Sequence, residues 1–182
     1  TINLKRGSLK MSLEINTADV LDVSRYVIKS PNPADSVDAI LKKLSEIESQ
    51  IDSEQVDGQM DELVTTAKIF GSNTKRKCFN IKLRTTETKQ LKKFGCVIYP
   101  VVFGNLVYLT KYEYLSSWFG WTSSGERDAK IRQKLDSIDK YNEYIFIQTL
   151  GDYVFCEMIR EFDKDHEANL KLYANFMSVG RG

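Results

Sequence analysis

The sequence predicts an α+β domain: a mainly antiparallel sheet built from two or more hairpins, with about four helices. Three observations predict it. Residues 96–115, CVIYPVVFGNLVYLTKYEYL, hold two apolar, β-branched and aromatic runs around Gly104-Asn105. A two-residue break of that kind is a hairpin signal, and glycine in first place favours a type II′ turn. Val37, Ile40, Leu44, Ile47 and Ile51 step by three, four, three and four, which predicts one long amphipathic helix near the N-terminus. Hairpins and helices then mix without regular βαβ alternation.

Taken in order, residues 2–4 read as a short strand and Lys5-Arg6-Gly7-Ser8 as a turn. Leu9, Met11, Leu13 and Ile15 alternate with Ser8, Lys10, Ser12 and Glu14, the pattern of a half-buried strand. Thr17 is placed to cap a helix through Val20, Val23 and Val27, which Pro31-Asn32-Pro33 ends. Asn32 caps the long helix, with Pro33 in its first turn, where a missing N–H costs least. Asp57-Gly58 marks a turn before a short apolar segment at Met60, Leu63 and Val64. Residues 64–70 fit either a helix end or a strand.

Phe79, Ile81 and Leu83 alternate with polar residues as a strand with one wet face. Residues 85–88 turn, and 89–93 lead into the central hairpin. That hairpin is apolar on both faces and belongs in the middle of the core. Pro100 has no N–H to donate, so its strand is expected to be at an edge or bulged there. Ser123 and Glu126 fit a capping box for a helix carrying Ile131, Leu135 and Ile138. Residues 144–150, Gly151-Asp152 and 153–159 read as a second hairpin. Asp163 or Asp165 caps a final helix through Leu172 and Phe176. The whole is expected to be one domain, 1–182. In it, 1–62 form a strand-plus-helices arm that mediates self-association, and 63–182 form the main sheet core.

Composition bounds the chemistry. The chain has 182 residues, 42% of them hydrophobic and 28% charged, which suits one globular domain. The formal net charge of +1 gives no whole-molecule steering. No apolar run nears the roughly 20 residues of a membrane span, and TINLKRGSLK lacks the apolar core of a secretory signal. Cys78, Cys96 and Cys156 are odd in number and without paired spacing. They read as reduced thiols of a cytoplasmic chain, peripheral on a membrane or within a virion.

Gly71-Ser72-Asn73-Thr74-Lys75 lacks the second glycine of a phosphate loop, and no nucleophile-elbow or zinc-protease motif occurs. The single histidine, His166, sits among Asp163, Asp165 and Glu167 and reads as a solvated surface residue. Cys78 follows Lys75-Arg76-Lys77, the best electropositive setting among the thiols, but has no evident base. No cofactor, no metal and no small-molecule substrate is expected, and the chain reads as a non-enzyme.

Three surface features remain. Lys75, Arg76, Lys77, Lys82, Arg84, Lys89, Lys92 and Lys93 face only Glu87 within their own segment. This run suits phosphates of nucleic acid or of lipid heads, and equally a lysine-guarded exposed sheet. Phe79 and Phe94 lie off its wet face, so it has no evident base-stacking platform. The region 35–62 is rich in acid and is expected to attract the basic segment between subunits, head to tail. Ile40, Leu44, Ile47 and Ile51 form either a helix-pairing seam for self-association or the inner face of a helix on its own sheet. Trp118, Phe119 and Trp121 sit among serines and glycine in a loop that either meets a membrane or partner or folds back on the core.

Together these predict a non-enzymatic, self-associating structural or adaptor protein engaging an anionic surface, membrane or nucleoprotein. Small matrix-type proteins of enveloped viruses work by this kind of chemistry, a likeness of physical type without a shared residue motif. The alternative is an RNA- or DNA-binding module using residues 75–93.

Overall fold

The computed structural model describes residues 12–15, 19–51, 53–66, 73–89, 91–115 and 135–166. Six strands form one sheet: β1 (Ser12–Glu14), β2 (Val20–Lys29), β3 (Val56–Thr66), β4 (Asn73–Leu83), β5 (Phe94–Phe103) and β6 (Leu106–Leu115). Their order is β1-β3-β4-β5-β6-β2. Two helices cover one face, α1 (Pro33–Ile51) and α2 (Ile138–Phe162). The first 62 residues thus supply both outer strands of this sheet and the helix that crosses it.

The central hairpin forms as its residues dictate. Phe103 pairs with Leu106 across Gly104-Asn105. Gly104 takes φ +61°, and no non-glycine residue among those described has positive φ, which is the type II′ pattern. Pro100 is accommodated by the way β4 leaves. Strands β4 and β5 pair only from Phe79↔Ile98 to Lys82↔Gly95, across four residue pairs, while β5 and β6 pair across ten. At Pro100 the strand is bonded on the β6 side alone, so the missing donor costs nothing.

The fold class holds as α+β, but its inventory differs from the sequence reading. Two helices are described where about four were expected. The sheet is mixed, because β1 runs parallel to β3. Residues 20–29 form a strand, not a helix. Val20, Val23 and Val27 mimic helical spacing, yet the β-branched content and the alternation of buried Tyr26 and Ile28 with exposed Val27 belong to a strand paired with β6. Asp57-Gly58 lies inside β3, where Gly58 packs against Ile51 of α1. The expected second hairpin is the long helix α2. Tyr144, Ile147, Gly151, Val154 and Met158 form its inner stripe, and Ser137 caps it by accepting the Lys140 N–H at 3.3 Å. Gly151 is a close-contact site: a Cβ there would collide with the Cys96 sulfur. Asp163 stands at the C-terminal end of α2, its N–H bonded to the Ile159 carbonyl. The expected final helix lies beyond it, largely outside the described residues.

The core sits between the helices and the sheet. Ile40, Leu44 and Ile47 of α1 and Ile147, Met158 and Ile159 of α2 pack over Phe79, Ile81, Ile98 and Leu109. A second, smaller cluster of Leu63, Cys78, Val97 and Tyr114 lies on the opposite sheet face.

Candidate functional site

The basic segment is not one patch. Lys75 and Lys82 stand seven residues apart on β4, about 23 Å along a strand. Each end is met by acids of β3, which the register places alongside. Lys82 lies 3.5 Å and Arg84 3.2 Å from Asp57, and Arg84 also donates to the Ser53 carbonyl at 2.8 Å. Lys75 lies 3.4 Å from Glu62. The opposite charges therefore meet within the chain, where head-to-tail pairing between subunits was expected. Residue Lys43 of α1 reaches Glu161 of α2 at 3.0 Å in the same way. Arg76, Lys77, Lys89, Lys92 and Lys93 remain exposed to solvent. Arg84 and Lys92 line an open cleft of about 960 Å³ beside the N-terminal half of α2. Glu87, Asp139 and Glu143 line it too, and Thr86 donates to Glu143 at 2.7 Å. The cleft is polar and of mixed charge.

The seam residues Ile40, Leu44 and Ile47 are buried against the chain's own sheet, and Ile51 is half-buried beside Gly58. Among the described residues, large apolar side chains are exposed at Val27 of β2, at Val102 and Phe103 by the tip of the central hairpin, and along α2. Ile138 is 70% exposed, Tyr141 41%, Phe146 49% and Tyr153 55%. The signal for this surface was present in the apolar spacing of 138–159, but alternation and Gly151-Asp152 read as a hairpin obscured it. Trp118, Phe119 and Trp121 lie outside the described residues.

Two buried polar groups also escaped the sequence reading. Under α2, Lys111 donates to Glu113 at 2.9 Å and to Asp152. Gln148 closes the group with a 2.6 Å bond to Glu113. Burial by itself would depress the Lys111 ammonium, but Glu113 and the bonds to both carboxylates outweigh it and raise its pKa. On the opposite face, Tyr114 donates to Asn80 at 2.9 Å, and Asn80 and Gln59 both donate to Asp61 at 3.0 Å. Neither group was legible because Lys111, Glu113 and Asp61 carry the residue types of a wet face.

All three thiols are disfavoured as thiolates. Burial, then the charge of Asp61, pushes Cys78 up to about 12, and burial raises Cys96 and Cys156 as well. The basic run next to Cys78 therefore does not activate it. The Nδ1 of His166 lies 3.0 Å from the Asp163 carbonyl at the end of α2. Among the described residues no three or more His, Cys, Asp or Glu side chains gather as metal ligands, and no helix is long and apolar enough to cross a membrane.

The sheet face away from the helices holds aromatic side chains. Tyr99 and Tyr112 stack with centroids 5.8 Å apart and planes 19° apart. Burial, together with the Tyr112 hydroxyl, raises the Tyr99 phenol above its ordinary value of 10.0, and the Arg76 charge partly offsets this. Compared by sequence, the chain matches no model of a known protein family and no curated protein.

Proposed function

We propose that this chain is a non-enzymatic structural or adaptor protein that self-associates through α2 and engages an anionic partner. The observation that carries the reading is that α2 is apolar on two opposite sides. At about 3.6 residues per turn, Ile138, Phe146 and Tyr153 fall within roughly 80° of one another, away from the inner stripe of Tyr144, Ile147, Gly151 and Met158. Monomeric surfaces rarely keep such a stripe free of a partner.

The stripe is self-complementary. Two α2 helices set antiparallel about the Thr149–Leu150 midpoint bring Phe146 of each copy to Tyr153 of the other. The same operation brings Asp139 to Arg160, residues of opposite charge. A surface that matches itself under a two-fold is an isologous, closing interface, so the expected product is a dimer and not a filament. Catalysis finds no support in the buried, mutually paired ionisable groups, whereas exposed Arg76, Lys77, Lys89, Lys92 and Lys93 support an anionic partner.

Sedimentation velocity of the full chain tests this. Wild type should sediment as a dimer. Phe146→Ser with Tyr153→Ser should give a folded monomer. Asp139→Arg and Arg160→Asp should each weaken the dimer and together restore it. A wild type that stays monomeric through the millimolar range removes the self-association reading.

A further inference from the structure

The open sheet face carries more than a stacked pair. Strand alternation places Tyr108, Thr110 and Tyr112 of β6 on this face with Tyr99 of β5, because Thr110 pairs with Tyr99 and Tyr112 with Val97. Tyr99 therefore sits on a diagonal between Tyr108 and Tyr112, within reach of both rings. All three tyrosines are half-buried, so part of each side chain stays open to solvent. Arg76 of β4 is exposed and near enough for its charge to act on Tyr99. On the other flank, Arg25 pairs with Thr110, and exposed Lys29 of β2 follows on the same face.

Carboxylates are segregated from this area. Glu113 and its pairing partner Asp22 share the helix-covered face. Among the described strand residues whose face the register sets, acids on the open face occur only on β3. There Asp57 is held by Lys82 and Arg84, and Asp61 is buried among Gln59 and Asn80. From β4 across to β2 the face carries the three tyrosines, exposed Arg76 and exposed Lys29, set among apolar residues such as Val23, Val27 and Val101.

We propose that this face is a stacking platform for single-stranded nucleic acid, with bases on Tyr99, Tyr108 and Tyr112 and phosphates on Arg76 and Lys29. Aromatic rings laid on a sheet beside arginines suit unpaired bases, whose faces are open, and not a duplex, whose bases are stacked inside. Tyrosines half-buried on the sheet, two of them held in a mutual stack, extend little side chain toward lipid, which favours nucleic acid over a membrane. The inference names the anionic partner of the reading above and does not depend on self-association.

Fluorescence anisotropy of the full chain with labelled single-stranded 12-nucleotide RNA and DNA, and with the same sequence as a duplex, tests it. Flotation with phosphatidylserine vesicles runs in parallel. Single strands should bind more tightly than duplex. Tyr99→Ala and Tyr112→Ala should each weaken binding about tenfold, and Tyr99→Phe should not. Arg76→Glu should weaken binding and flatten its salt dependence. If an alanine variant fails to melt cooperatively, Tyr99→Leu and Tyr112→Leu keep apolar cover while removing the aromatic face. Equal binding of duplex and single strand, insensitivity to both tyrosine changes in folded protein, or binding to vesicles alone overturns the platform. None of these results bears on the dimer, which sedimentation reads separately.

Discussion

The Tyr114 side chain lies over Gly95. The two residues are paired across β5 and β6, and a Cβ on Gly95 would stand 2.6 Å from the Tyr114 hydroxyl. The ring crosses β5 through the space the glycine leaves and reaches Asn80 on β4 at 2.9 Å. An aromatic ring covering a strand glycine is a device for fixing register. Gly95→Ala should displace the ring and cost about 2 to 4 kcal/mol, overpacking plus a lost hydrogen bond. Tyr114→Phe removes the bond alone and should cost about 1 kcal/mol. Urea denaturation orders the two; if Gly95→Ala is no worse than Tyr114→Phe, the ring is not seated on the glycine.

Lys111 is the most consequential charge in the core. Lys111→Met leaves Glu113 buried without its cation and should cost about 3 to 5 kcal/mol, with partial recovery when Glu113→Gln is added. Because the folded-state pKa of Lys111 is raised above 10.5, its stabilisation is complete below that pH and is lost as pH rises beyond it. The melting-temperature gap between wild type and Lys111→Met should therefore be flat from pH 6 to 9 and close in strong alkali. A gap that widens with alkali contradicts the assignment.

Thiol chemistry should follow accessibility. Cys156 is half-buried, while Cys78 and Cys96 are buried. With a maleimide at pH 8, intact-protein mass spectrometry should show one fast addition, at Cys156. The other two should react only at the rate of unfolding. Rapid labelling of Cys78 would mean that the basic run at 75–77 activates it after all.

Thr110 carries a buried hydroxyl without a hydrogen-bond partner. Thr110→Val removes the unmet polar group at nearly constant volume and should stabilise by about 1 kcal/mol, raising Tm by about 2 to 4 °C. Leu44→Ala should act in the other direction, costing about 2 to 5 kcal/mol without changing the sedimentation coefficient of the folded protein. Loss of the dimer with little loss of stability would return the seam on α1 to the interface.

The parts of the fold legible in the sequence are those where local chemistry and tertiary packing agree. Gly104-Asn105 between β-branched runs specified a hairpin, and the heptad-like spacing at 37–51 specified a helix while leaving open what its apolar face meets. Pro100 announced an edge, and the departure of β4 supplies it. The misreadings arise where one residue serves two roles. Gly151 interrupts an apolar run like a turn, yet its bareness is needed where the helix meets Cys96. Val20, Val23 and Val27 satisfy helical spacing by coincidence, and pairing with β6 decides. Of the surface features, the basic run was visible, but the pairing of Lys75, Lys82 and Arg84 with Glu62 and Asp57 depends on register, which sequence order hides. The tyrosine face was invisible for the same reason: Tyr99 and Tyr112 sit on different strands and meet only across a diagonal.

The short β4–β5 junction gives the sheet a mechanical character. Four residue pairs join a wing of β1, β3 and β4 to a wing of β5, β6 and β2, while the β3–β4, β5–β6 and β2–β6 pairings run longer. Bending and twisting stiffness is lowest at such a neck, so the soft coordinate of the molecule is rotation of one wing against the other, with α1 lying across both as a brace. Arg76 rides on one wing and Tyr99 on the other, and the gap between them would open or close with that rotation.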